Sequence, residues 1–189
     1  DTDDELFNDN KGKLTEIFEK AQPKLKLKQI VLPDSTTSVV EKWNYLFEKA
    51  YKDNIDWFYQ LGDDINIIDE HWDKEFVNIL KSRDGWGVTG PLDLNNASIL
   101  TQSFVGRKHY DIFGYFIDPR IKNWFSDDWM TEVYKPELMT RGQSRVNNTS
   151  GYGDERYDID RSVAEKLKDY VYDGKKKIGN LLNENISKA

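Results

Sequence analysis

The chain of 189 residues has no cysteine, two histidines, two methionines and five prolines. Without cysteine there is no disulfide, no thiolate nucleophile and no sulfur-ligated zinc site. His71 and His109 stand too far apart in the sequence to make a zinc motif. No Gly-x-Ser-x-Gly elbow, Gly-x-Gly-x-x-Gly turn or Walker loop occurs, which sets aside the serine-hydrolase, dinucleotide-binding and P-loop readings. Apolar runs are short. The longest, Ile112 to Ile117, has six residues, far from the roughly 18 to 20 needed to span a bilayer. Positive charge is the minority sign: 27 Lys and Arg against 34 Asp and Glu leave a net charge of -7. A general nucleic-acid binder needs the opposite balance, so no nucleic-acid partner and no membrane segment are expected. Lys175-Lys176-Lys177 reads as the solvated face of a late helix. Residue 1 is Asp and no charged-then-apolar leader follows, so the chain is expected to begin inside a longer protein. Missing cysteines and missing leader together give a cytoplasmic expectation.

Aromatic residues are plentiful, with six Trp, ten Tyr and nine Phe. That many large apolar groups offset the entropy of ordering a chain of this length, which predicts one globular domain over 1–189. Leu14, Ile17, Phe18 and Ala21 mark a helix ending near Pro23, and Leu27 to Leu32 reads as a strand. A helix from about Thr37 buries Val39, Val40, Trp43, Leu46, Phe47 and Ala50, and Asp53-Asn54 ends it before the apolar run Trp57 to Leu61. Strand, helix, strand at this spacing is a βαβ unit. A third helix carries Trp72, Phe76, Ile79 and Leu80, short strands follow at Trp86 to Thr89 and Ser103 to Val105, and a long helix starts near Asp160. The pattern predicts an α/β fold with a mainly parallel central sheet flanked by helices. Ligands of such sheets sit outside the carboxyl ends of the strands.

Asp63-Asp64 falls at such a place, immediately after the run Trp57 to Leu61. Two carboxylates there repel one another unless a cation or donors neutralise them, and oxygen-only ligands suit Mg²⁺ or Mn²⁺. The plain alternative is an acidic turn ahead of the next element. Asp127-Asp128 lies between indoles in Asn123-Trp124-Phe125-Ser126-Asp127-Asp128-Trp129. Partial desolvation there raises a carboxyl toward the range of a general base. The same residues also make an ordinary helix start, with Ser126 as N-cap and acids in the first turn, and the two readings are compatible.

Lys42-Trp43-Asn44, then Asp56 through Ile65, then Gly87-Val88-Thr89-Gly90-Pro91-Leu92-Asp93, in that order, resemble a GT-A nucleotide-sugar glycosyltransferase. Phe104 through His109, Phe113 to Phe116 and Asn123 to Trp129 continue the likeness, which runs to about residue 160. The group it resembles is the glycosyltransferase domains of large DNA viruses, chlorovirus-like, with a more distant similarity to fringe-like transferases. The resemblance implies a metal-dependent, inverting transfer of a sugar from a nucleotide-sugar donor, UDP-linked first, to a glycan or glycoprotein hydroxyl. It implies Asp64 and Asp63 as ligands of Mn²⁺ or Mg²⁺, with Gly62 where many members carry the first Asp. It implies Asp128, with Asp127 in reserve, as catalytic base. Asp3, Lys42, Asn44, Asp93 and Arg156 fall on the donor side, and Arg107, His109, Trp124 and Trp129 on the acceptor side. It also implies a first strand that precedes residue 1, and a host-cell cytoplasmic setting if the source is viral. Gly62 and the want of a histidine after His109 leave a second reading open, a non-catalytic nucleotide- or sugar-binding module on the same fold.

Overall fold

The structure is a computed structural model that describes residues 13, 15–28, 30, 38–62, 64–148 and 160–188. The chain divides into two compact units, Asp1–Ser38 and Val39–Ala189. In the first unit, helix α1 covers 15–21 and ends where Gln22 N–H bonds the Phe18 carbonyl, one residue before Pro23. Leu25 and Leu27 of this unit are exposed. The strand expected at 27–32 falls largely outside the described residues.

The second unit begins with α2 (Val39–Lys52), which ends as expected at Asp53-Asn54, with Asn54 in the left-handed region. Then come β1 (Trp57–Tyr59), β2 (Ile65–Ile67), α3 (Trp72–Lys81), β3 (Val88–Asp93), β4 (Phe104–Gly106), α4 (Arg107–Phe113), α5 (Ser126–Tyr134), β5 (Met139–Asn148) and α6 (Arg161–Lys188). Helices and strands are interspersed along the chain and pack as an α/β fold. The sheet runs β1-β4-β3-β5-β2. Among the described strands only β3 and β5 are parallel; β1–β4, β4–β3 and β2–β5 are antiparallel. The mainly parallel sheet expected from the sequence is therefore corrected to a mixed one. The expectation failed at β4, whose short apolar run reads the same in either direction, and at β5, whose polar residues hide a strand.

A flat version of this sheet cannot exist. Tyr59 on one edge aligns through Phe104 with Thr89, while Ile65 on the other edge pairs with Asn148, two residues beyond the Val146–Asp93 pair. Four strand spacings and six residue steps put those points about 27 Å apart on a flat sheet. Six extended steps of chain reach at most about 21 Å. The sheet curls to bring its edges together. The bend sits where the Gly90–Arg141 pair gives way to Leu92–Arg145, a bulge in β5. Pro91 lies opposite it and has no N–H to give the ladder. The bulged N–H groups of Gln143 and Ser144 go instead to the Glu75 carboxylate on α3. Burial pushes that carboxyl up, but these N–H bonds and the Ser144 hydroxyl outweigh it and hold it below its usual range.

The main core lies under α2, α4, α5 and α6, with Val40, Phe47, Val88, Val105, Phe113, Ile117, Trp129, Met130 and Tyr134 buried together. A smaller core on α3 joins Phe76 and Leu80 to Phe104. Val163 and Ile178 seat α6, as the sequence periodicity expects. Among the described residues no helix is long and apolar enough to cross a membrane.

Candidate functional site

β3 ends at Asp93, and the chain then makes a loop over 94–103 before β4. Asp93 is 1% exposed and anchors both ends of that loop. Its Oδ1 accepts the Asn95 N–H at 2.9 Å, and its Oδ2 accepts the Thr101 hydroxyl at 2.7 Å. Arg141 on β5 ties the loop from below, donating to the Ile99 carbonyl at 3.0 Å. Burial lowers the Arg141 pKa, and the Asp93 charge acts against that. From above, the Leu100 N–H donates to Thr131 Oγ1 on α5 at 2.9 Å.

Thr131 lies one turn beyond Asp127 and Asp128, so these residues share a stripe of α5. Both acids lie in the first helical turn, where the free N–H groups favour negative charge. Phe125, in the left-handed region, is the cap residue, and Ser126 is the first residue of the helix rather than its cap. The Asp127 carboxyl is pushed up to about 7. Burial is the main cause; the neighbouring Asp128 and Asp93 charges add to it, and a hydrogen bond from Ser126 opposes it. A carboxyl half-ionised near neutrality can both accept and return a proton. The structure thus fastens the loop that Asp93 anchors at the carboxyl end of β3 to the helix that carries Asp127 and Asp128.

β5 ends at Asn148 on the same side of the sheet, and β2 begins there because it runs antiparallel to β5. Asn95 Nδ2 reaches the Asn147 side chain at 3.0 Å and so joins the β3 loop to the end of β5. Asp64, immediately before β2, belongs to this sheet end too. Asp93, Val146 and Ile67 lie in register across three strands, which puts the Asp64 and Asp93 backbones roughly 14 Å apart by strand spacing. The Asp64 carboxylate folds back over Gly62: a Cβ there would sit 2.5 Å from Asp64 Oδ1. Gly62 therefore leaves room for the carboxylate that follows it. Asp63, Asp3 and Arg156 lie outside the described residues.

Other expected site residues stand elsewhere. Arg107 and His109 follow β4, which is antiparallel to β3, so the end of β4 lies at the opposite end of the sheet from Asp93. Arg107 lies over the Tyr51 ring, 3.9 Å from its centroid, and donates to the Tyr51 and Ile55 carbonyls, fixing the end of α2. His109 is buried: one ring nitrogen meets the Phe116 carbonyl at 2.8 Å and the other the Tyr134 hydroxyl at 2.8 Å. Since a carbonyl only accepts, Nε2 carries the proton and Nδ1 accepts from Tyr134. Burial lowers this imidazole to about 4. Trp129 is 0% exposed and packs edge-on against Phe113. None of the three is placed as an acceptor contact.

Asn44 spends its amide on the backbone. Its oxygen accepts from Phe116 and Ile117, and its nitrogen donates to the Ile117 carbonyl. It braces α2 against the loop after α4. Lys42 is partly buried two residues earlier on α2. Asp93, expected on the donor side, is buried, and each of its oxygens accepts a hydrogen bond from the loop. Trp124 is 41% exposed and lies three residues before Asp127. Arg141, Thr101 and Thr131 were not found by reading the sequence. No signal in the sequence marks their shared role, because it is the 94–103 loop that joins them: Thr101 bonds Asp93, Arg141 bonds the Ile99 carbonyl, and Thr131 accepts the Leu100 N–H.

Oxygen donors from Asp63-Asp64 fit Mg²⁺ or Mn²⁺, which commonly takes one or two carboxylates and fills its remaining positions with water and phosphate. Among the described residues no three His, Asp or Glu side chains converge into a cage. The chain matches no family model, no curated protein and no solved structure.

Proposed function

We propose that the chain is a metal-dependent, inverting glycosyltransferase of GT-A type, acting on a nucleotide-sugar donor and a glycan hydroxyl. The observation that carries this reading is the position of Asp127 in the first turn of α5, a helix fastened at Thr131 to the loop that leaves the carboxyl end of β3; burial raises its carboxyl there. Asp64 supports it from the same end of the sheet, and the ordered motifs that resemble GT-A enzymes support it from the sequence. Asp127, rather than Asp128, takes the role of base in this reading.

In the step so assigned, Asp127 removes the proton of an acceptor hydroxyl while that oxygen bonds to the anomeric carbon of the donor. The bond from that carbon to the diphosphate breaks on the opposite face, and its electron pair leaves with the diphosphate. Asp64, with Asp63 beside it, would hold Mn²⁺ or Mg²⁺, whose charge neutralises the diphosphate when bound. The exposed Trp124 indole offers an apolar face to a sugar ring next to the base. Asp128 adds negative charge beside Asp127, which strengthens its hold on a proton.

Calorimetric titration of UDP with and without Mn²⁺, on wild type and Asp64→Ala, tests the donor side. Binding that needs both Mn²⁺ and Asp64 is expected. Failure of UDP, GDP and the other nucleoside diphosphates to bind a folded protein overturns the reading. Asp127→Asn should keep that binding and lose at least 100-fold in sugar transfer, on the order of what one general base contributes. Nucleotide binding without turnover of any donor would favour the binding module.

A further inference from the structure

The lysine run on α6 divides between two neighbours. Lys175 donates to the Lys135 carbonyl at 2.8 Å and belongs to the contact with the end of α5. Lys176 and Lys177 instead line a pocket of about 450 Å³ between α6 and the segment 115–120 that follows α4. Lys177 lies over the Tyr115 ring, 4.7 Å from its centroid, and its ammonium donates to the Tyr115 hydroxyl at 3.2 Å. Among the described residues neither lysine has a carboxylate partner. The two carboxylates of the pocket are spent on one arginine. Asp118, 2% exposed, accepts from Arg120 Nε at 2.9 Å and Nη2 at 2.7 Å, and Asp173 Oδ2 accepts from Nη1 at 2.8 Å. The same guanidinium lies 4.1 Å over the Tyr170 ring, so its place is fixed on three sides. One arginine and two lysines against two aspartates leave the pocket positive in a chain whose net charge is -7.

We propose that this pocket binds a phosphate monoester of a small hydroxylated molecule, a sugar phosphate in the simplest case, with Lys176 and Lys177 on the phosphate. The Arg120 fork is engaged by Asp118, which removes the two-pronged grip that suits a carboxylate. Lysine ammoniums act as point charges and hold a doubly charged group better than a singly charged one. A phosphate fills only a small part of the pocket. In the remainder, Asp173 Oδ1 is left to accept a hydroxyl, and Asn180 offers both a donor and an acceptor. Pro119 gives the carbon skeleton an apolar wall. The proposal uses none of the residues assigned to sugar transfer and does not depend on that reading.

The test is a nitrogen-15 NMR titration of the full chain at fixed ionic strength, with glucose 6-phosphate, inorganic phosphate, glucuronate and glucose as probes. Glucose 6-phosphate should move the Lys176 and Lys177 amides and the Arg120 Nε signal to saturation. Inorganic phosphate should move the same signals with weaker affinity. Lys176→Gln and Lys177→Gln should each weaken the binding of glucose 6-phosphate about tenfold, the loss expected for one charge-assisted hydrogen bond. Both side chains are exposed on α6, so these variants keep the fold. Lys175→Gln removes the same charge one residue away and should leave the affinity in place. Absence of a saturable shift overturns the proposal, as does binding of glucose or glucuronate as tight as that of the sugar phosphate. An equal loss in Lys175→Gln also overturns it, since the field of the helix and not the pocket would then hold the anion. Inorganic phosphate binding more tightly than glucose 6-phosphate would mean an adventitious ion only. The titration uses neither nucleotide nor metal, so failure of the glycosyltransferase reading shows separately, as absent nucleotide binding.

Discussion

Asp127 holds its proton more tightly in the folded chain than in the unfolded one, which ties stability to pH in a fixed direction. Its folded value is raised from 3.8 to about 7. The contribution is therefore fully present below about pH 4 and is lost as pH rises through 7. Asp127→Asn removes that dependence. Urea unfolding should show the variant gaining on wild type by roughly 1–3 kcal/mol between pH 4 and pH 8. His109 runs the other way. Lowered to about 4 by burial, it contributes stability above its unfolded value near 6.5, lost as pH falls through 4. Its Hε1 resonance should stay flat from pH 8 to about pH 5.5, whereas exposed histidine titrates near 6.5. A midpoint above 6 would mean that the Tyr134 and Phe116 bonds are not those of a neutral ring.

At the scale of elements, α6 lies on α5 closely enough that one hydrogen atom decides the contact. A Cβ on Gly174 would meet Val133 Cγ2 at 2.4 Å and the Trp129 ring at 3.5 Å, and both side chains are buried. Gly174→Ala should therefore destabilise by roughly 1–3 kcal/mol, the cost of overpacking outweighing a helix-propensity gain of up to about 1 kcal/mol. Thermal unfolding of the single variant measures this. Elements with an apolar stripe were legible in the sequence: α2 through Val40 and Phe47, α3 through Phe76 and Leu80, α6 through Val163 and Ile178. Asp127-Asp128 was legible for the same reason, since indoles flank it. β5 was not, because Met139–Asn148 carries Arg, Gln, Ser and Asn, and its N–H groups are satisfied partly by Glu75 and Asp69 from other elements. The Arg145 side chain and N–H together hold Asp69 down at about 2. Strand direction was hidden as well. Reading β4 as parallel put Arg107 and His109 at the ligand end, whereas antiparallel pairing sends them to the other.

For the whole molecule, the short connection from β1 to β2 sets the curvature of the sheet. Removing Leu61 would shorten its reach by about 3.5 Å, more than the curl can absorb while both edge pairings hold. Hydrogen exchange should then show the Ile65–Ile67 amides, which pair with Asn148 to Val146, losing protection while those of β3 keep theirs. Unchanged protection at Ile65–Ile67 would mean that the sheet edges are already closer than the strand spacings imply. The pairing also has a temporal side. Synthesis proceeds from the N-terminus, so β2 leaves the ribosome long before β5, its sheet neighbour among the described residues, has been made. Through that interval the nascent chain carries Asp64 just ahead of a segment whose partner strand β5 does not yet exist. The acidic end of the sheet is assembled only once Asn148 has emerged and β5 has slotted between two strands that were translated before it.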